Sequence, residues 1–141
     1  MSAEPKVVWL PGDVRSEVHL SGEDTGGAFC LIVDHPPAGW LLPPHRHLHE
    51  AETIHVVAGR FSMEVDGVKS VLEPGDTVHV PIGAVHSGGN VGLETGTRVV
   101  IFSPAGLERL FLEIGAAAPG TPADVPALVA AAAAHGFVFV R

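Results

Sequence analysis

Between residues 7 and 103 the chain is a series of short apolar runs, several of them alternating with polar residues, and nearly every run stops at glycine, proline or an acid–glycine pair. The runs VVWL (7–10), SEVHL (16–20), AFCLIVD (28–34), ETIHVVA (52–58), RFSMEV (60–65), VKSVL (68–72), DTVHVP (76–81) and TRVVIFS (97–103) predict strands. Their spacing is that of an all-β sandwich or barrel. The clearest hairpin is RFSMEVDGVKSVL, in which Phe61, Met63 and Val65 alternate with polar residues. Asp66 and Gly67 lie at its centre, the pair preferred in a type I′ turn because both positions need φ > 0.

After Ser103 the period changes. Leu107, Leu110, Phe111 and Ile114 recur at helical spacing and stop at Gly115. A Pro/Gly-rich loop (116–125) leads to a second helix over about 126–135, ended by Gly136. Both helices are expected on the outside of the β unit or against a partner subunit. The terminal FVFVR (137–141) is either a last edge strand or an apolar tail that needs cover, and the second case points to a homodimer. The chain thus divides into an N-terminal arm (1–27), a β unit (28–103) and a C-terminal helical extension (104–141).

A length of 141 residues fits one domain, which would bury about 68–70% of its unfolded surface. The formal charge of -8 and the lack of a basic run exclude nucleic acid and anionic membrane surfaces as partners. The start, MSAEPKVVWLPGD, lacks the charged beginning and apolar core of a signal peptide, and VPALVAAAAAHG is too short to span a bilayer. A soluble, cytoplasmic protein is expected. Cys30 is the only cysteine, which leaves no intrachain disulfide and no thiolate zinc site. Its apolar neighbours mark it as a buried small hydrophobe rather than a reactive thiol.

Chemistry concentrates in PPHRHLHEAETIH (43–55), with four histidines and two glutamates. His45 and His47 are two apart, so on a strand both imidazoles project from one face. Glu52 lies five beyond His47, and a bend at 48–51 must intervene if it is to join them. A fourth candidate comes from GDTVHVPIGAVHSGGN (75–90). There Gly75-Asp76 starts a strand, Pro81 ends it where no ladder N–H is needed, Gly83 permits a tight turn, and His86 opens the next strand. Three imidazoles and a carboxylate suit one divalent ion of Mn, Fe, Co, Ni, Cu or Zn and leave positions open for substrate or O2.

These two segments resemble the two motifs of the cupin superfamily. Gly39, His45, His47, Glu52 and Gly59 fill G-x5-H-x-H-x4-E-x6-G, and Gly75, Pro81, Gly83, His86 and Asn90 fill G-x5-P-x-G-x2-H-x3-N, with fifteen residues between them. The resemblance implies a small jelly-roll β-barrel, single-domain and often dimeric, with His45, His47, Glu52 and His86 as metal ligands inside one mouth. The helical tail is similar to that of small cupins grouped with quercetin 2,3-dioxygenase. That likeness implies a dioxygenase acting on an enol, flavonol or diketone, with the substrate oxygen on the metal, Glu52 as base and O2 attacking the activated ring. Two other readings stay open: a cupin that holds a metal and a small ligand without turnover, and a non-redox isomerase, decarboxylase or lyase using the metal as Lewis acid.

Other positions have plainer expectations. Glu50 is the rival carboxylate, but only Glu52 keeps the six-residue interval to Gly59. His49 reads as a solvated loop residue, His55 as outward or towards a partner, His19 and His135 as surface, and Asn90 as securing a turn. His79 alternates with Val78 and Val80, so one of these sets lines the interior. With Glu52 inside, Ile54, Val56, Phe61, Met63, Val65, Val99 and Ile101 should line an apolar cavity, the usual form of a small-molecule site. Arg46 and Arg60 alternate away from it, so the cavity should be poor in positive charge.

Overall fold

The computed structural model describes residues 4–140; residues 1–3, the start of the expected arm, and residue 141, the end of the apolar run, lie outside the described residues. In chain order the elements are β1 (Lys6–Leu10), β2 (Val14–Leu20), α1 (Gly22–Thr25), β3 (Cys30–His35), β4 (Leu41–His47), β5 (Ala51–Ala58) and β6 (Phe61–Val65). They continue with β7 (Val68–Leu72), β8 (Thr77–Val80), β9 (His86–Asn90), β10 (Thr97–Ser103), α2 (Glu108–Ile114), α3 (Val125–Ala134) and β11 (Phe137–Phe139). The strands form a jelly-roll of two antiparallel sheets, ordered β1-β2-β3-β10-β5-β8 and β11-β4-β9-β6-β7. The β6–β7 hairpin turns at Asp66 and Gly67, both at positive φ (47° and 83°), as the type I′ turn requires.

The inner face of the six-stranded sheet is layered by register. Cys30, Phe102 and Glu52 share one row, Ile32, Val100 and Ile54 the next, and Asp34, Arg98 and Val56 the third. Phe61 and Met63 of β6 face them from the other sheet, and all of these side chains are buried. The expectation that Val99 and Ile101 face inward is therefore corrected: Val100 and Phe102 do, at 3% and 1% exposure. The run TRVVIFS has apolar residues on both faces, so its own alternation could not choose. Its neighbours on β3 and β5 do, by matching Phe102 to Cys30 and Arg98 to Asp34.

The same register brings a cation inside, against the expectation of an interior poor in positive charge. Arg98 donates from Nε and Nη2 to the two carboxylate oxygens of Asp34 at 3.0 and 2.7 Å. Its guanidinium stands over the Trp40 and Phe61 rings, 4.9 and 5.3 Å from their centroids. Burial alone would lower the Arg98 pKa, and the Asp34 carboxylate more than offsets it. The pair is neutral as a unit, so it closes the interior without offering a net charge to a ligand.

Both C-terminal helices form close to where the spacing places them, and they feed the core rather than only covering it. Leu107, Leu110 and Ala132 join the buried cluster. The terminal apolar run takes the first of its two alternatives. As β11 it pairs antiparallel with β4, Phe137 opposite His47 and Phe139 opposite His45. Phe137 is thereby buried within its own chain, while Phe139 stays partly exposed and Val140 is 37% exposed. Among the described residues no helix is long and apolar enough to cross a membrane.

Replacing Asp34 by alanine would leave the Arg98 charge buried and unpaired. The expected loss is about 3–5 kcal/mol in urea unfolding, whereas exchanging both residues for apolar ones of similar volume should recover most of it. A loss near zero for Asp34→Ala would show that Arg98 reaches water by another route.

Candidate metal centre

The two sheets contribute unequally to one cluster. On β4, His45 and His47 project inward from the five-stranded sheet, and β9 pairs beside it with His86 opposite His45. The chain then leaves that sheet. Between His47 and Ala51 it passes through a short irregular segment held by Leu48 N–H donating to Gly136 O at 2.9 Å, and β5 begins in the other sheet. The odd interval of five residues therefore stops mattering, because His47 and Glu52 lie on facing sheets rather than on one straight strand. Motif glycines make the connecting turns: Gly39, Gly59, Gly75 and Gly83 all adopt positive φ, between 81° and 94°, where a side chain would be strained.

One ligand atom from each of His45, His47, Glu52 and His86 lies within 4.8 Å of the others. The four residues are only 2%, 3%, 6% and 3% exposed. His86 Nε2 stands 2.9 Å and His47 Nε2 3.3 Å from Glu52 Oε1. Two ligands bonded at about 2.1 Å and at right angles round one ion are about 3 Å apart, so this spacing fits. The outer ring nitrogens support the same orientation. His45 Nδ1 donates to Pro43 O at 2.8 Å and His86 Nδ1 to Ala84 O at 3.0 Å, which turns both Nε2 atoms to the centre.

The electrostatics differ from residue to residue within the cluster. Burial alone would raise Glu52, but hydrogen bonds from His47 and His86 and their charges outweigh it and hold the carboxyl well below its usual range. Burial, then the charge of His86, push His45 down to about 4. For His86 burial acts downward too, yet the hydrogen bond and charge of Glu52 prevail and raise it. Two buried polar atoms, His47 Nδ1 and Glu50 Oε1, have no hydrogen-bond partner among the described residues.

The remaining candidates fall apart from the cluster. Glu50 is buried but contributes no atom to it, so Glu52 is the carboxylate of the group. His49 is exposed. His55 pairs with Thr77 Oγ1 at 2.8 Å and His79 with Thr53 Oγ1 at 3.0 Å, both on the outer face, while Val78 and Val80 line the interior. His19 shares Glu17 with His35, and His135 meets Glu113 at 2.7 Å. Asn90 secures its loop, donating to Pro36 O and Glu94 O and accepting from Gly92 N–H. Cys30 is fully buried, and burial followed by the Glu108 charge pushes its thiol up to about 12.

Sequence reasoning missed one group at the site. The Phe137 ring lies flat on His45, 4.6 Å between centroids and 7° between planes, and meets His47 edge-on at 4.9 Å. The alternating FVF that produces this was visible, but nothing in the chain said which strand it would join.

The chain belongs to the cupin family, whose domain model matches residues 31–102. It is 33% identical over 78 residues to a quercetin 2,3-dioxygenase of Bacillus subtilis (strain 168), a match covering 55% of this chain and 23% of that protein. It is 44% identical over 83 residues to the oxidoreductase OpS7 of Beauveria bassiana (strain ARSEF 2860), covering 52% of this chain and 27% of the relative. The matches thus span only 23% and 27% of the lengths of these curated relatives. The fold is similar to that of KdgF from Halomonas sp., with a TM-score of 0.64 at 21% identity over 76% of this chain and 91% of that one.

Removing one imidazole from the cluster should cost more than the roughly 10- to 100-fold lost when an outer partner of a ligand is removed. His47→Ala is thus expected to bind Zn(II) or Co(II) more than about 100-fold more weakly in competition with a chromophoric chelator. Unchanged affinity would remove His47 from the site. The sign of the pH effect follows from His86: its raised pKa keeps the proton on to higher pH, so the entering ion must displace it. Metal uptake near neutrality should release protons, read as a dependence of calorimetric heat on buffer, and affinity should fall as pH is lowered.

Proposed function

We propose that the protein is a metal-dependent dioxygenase acting on a small enol-bearing molecule of flavonol or 1,3-diketone type. His45, His47, Glu52 and His86 would hold one divalent transition-metal ion. The observation that carries the reading is the placement of Glu52, a buried carboxylate among three imidazoles at the edge of an apolar interior. The partial likeness to a quercetin 2,3-dioxygenase supports it. A bound ion supplies Lewis acidity towards an enol oxygen and an electron relay between substrate and O2.

The chain's own groups account for the rest. Glu52 engages His47 and His86 through Oε1, and among the described residues no hydrogen bond occupies Oε2. That second oxygen would accept the hydroxyl proton of an arriving enol. Ile54, Met63, Val80 and Phe102 bury the inner wall and exclude water from the reacting ring. The Pro43 and Ala84 carbonyls fix the orientation of His45 and His86 by accepting from their Nδ1 atoms.

The test is O2 uptake by protein loaded separately with Fe(II), Mn(II), Ni(II) and Co(II), offered flavonols and 1,3-diketones. Uptake should need both metal and substrate, and Glu52→Gln should lower it by at least about 100-fold, the smaller end of general-base effects. Metal content measured alongside separates loss of the base from loss of the ion. Turnover that persists without O2 would replace this reading by a non-redox isomerase or lyase. Saturable binding with no turnover in either condition would make the protein a ligand-holding cupin.

A further inference from the structure

Strand β11 lies outside the segment that matches the family, yet it is the neighbour of β4 on the edge where His45 and His47 point inward. Register places Phe137 and Phe139 on the same face as those imidazoles. Phe137 is 8% exposed and stacked on His45, so the His45 ring is held between Phe137 on one side and His86 at 4.1 Å on the other. Phe139 is the next ring out. It is only partly buried, 5.3 Å from Phe137 and 6.1 Å from His45, tilted by about 50° to both. The outer ring therefore keeps some exposed surface 6.1 Å from His45, while the inner one is almost wholly used in packing.

We propose that Phe139, backed by Phe137, is the specificity-determining wall of the metal chamber. It selects an enol oxygen carried on an aromatic ring over the same oxygen on a small aliphatic chelate. This rests on the reading that the centre takes an enol oxygen. An aliphatic chelate spans only the ion and its nearest ligands, and it gains nothing from Phe139. A fused or conjugated ring extends past His45 and meets the Phe139 ring in the offset or edge-on geometry that aromatic pairs prefer. Phe137 has a different task as a positioning residue: with the Pro43 carbonyl it fixes the plane of His45, and so the direction of Nε2.

The test uses the full chain loaded with Co(II), kept anaerobic, and two probes that each bind a metal through an enol oxygen and a ketone oxygen: 3-hydroxyflavone, followed by its fluorescence, and acetylacetone, followed by the Co(II) absorption bands. Phe139→Ala is expected to weaken 3-hydroxyflavone at least tenfold more than acetylacetone, and Phe139→Leu, which keeps apolar bulk without a ring, to share most of that loss. Phe139→Tyr should restore the preference. Phe137→Ala should instead weaken Co(II) itself and change its absorption spectrum, as expected of a loosened His45. Equal losses for both probes in Phe139→Ala, or none for either, would overturn the assignment while leaving the enol reading in place. Failure of both probes to bind the metal-loaded parent protein would sink the enol reading and the wall with it.

Discussion

A carboxylate only 6% exposed between two apolar sheets cannot stand alone, and the candidate centre is organised around that demand on Glu52. Its partners must come from the facing sheet, because the strands on either side of it offer Phe102 and Val80. The crossing between β4 and β5 answers this by moving the chain from one sheet to the other within a few residues. His47 stays behind on the first sheet, and Glu52 arrives opposite it. With the three histidines, Glu52 shares a compensated network; with an ion, the same atoms are at the separation of ligands.

The interior is graded along the strands. Within these three rows of the six-stranded sheet, charge sits in the Glu52 row and in the Arg98–Asp34 row two away, with Ile32, Val100 and Ile54 between them. Arg98 is paired within its own row by Asp34, while Glu52 meets His47 and His86 across from the facing sheet. A buried pair of this kind is weak evidence for stability but strong evidence for register, since a shift of one residue would face Arg98 to solvent and strand Asp34 inside. The position of Glu52 relative to β10 is secured by the same register.

The part beyond Ser103 lies outside the segment that matches the family. Leu107, Leu110 and Ala132 complete a core that the strands leave open, and β11 covers the edge of β4 that would otherwise expose both imidazole-bearing residues. The extension supplies no ligand atom. It supplies the aromatic surroundings of two residues that do, and so it affects which molecules can share the centre with them.

Much of this was legible in the residues. The short β runs, the Asp66-Gly67 hairpin, the two helices and the spacing of His45, His47, Glu52 and His86 each follow from local rules: side-chain period, turn chemistry and motif intervals. So did the outward placement of His55 and the buried, inert character of Cys30, because alternation and local hydrophobicity decide those without reference to distant strands. The inward face of TRVVIFS did not follow, since both of its faces are apolar and only the pairing of Arg98 with Asp34, 64 positions away, chooses between them. The destination of the terminal FVFV was equally beyond local reading. Chain composition determined that this strand would seek cover, and tertiary structure decided that the cover would be β4, because edge hydrogen bonds carry no address until the rest of the sheet is assembled.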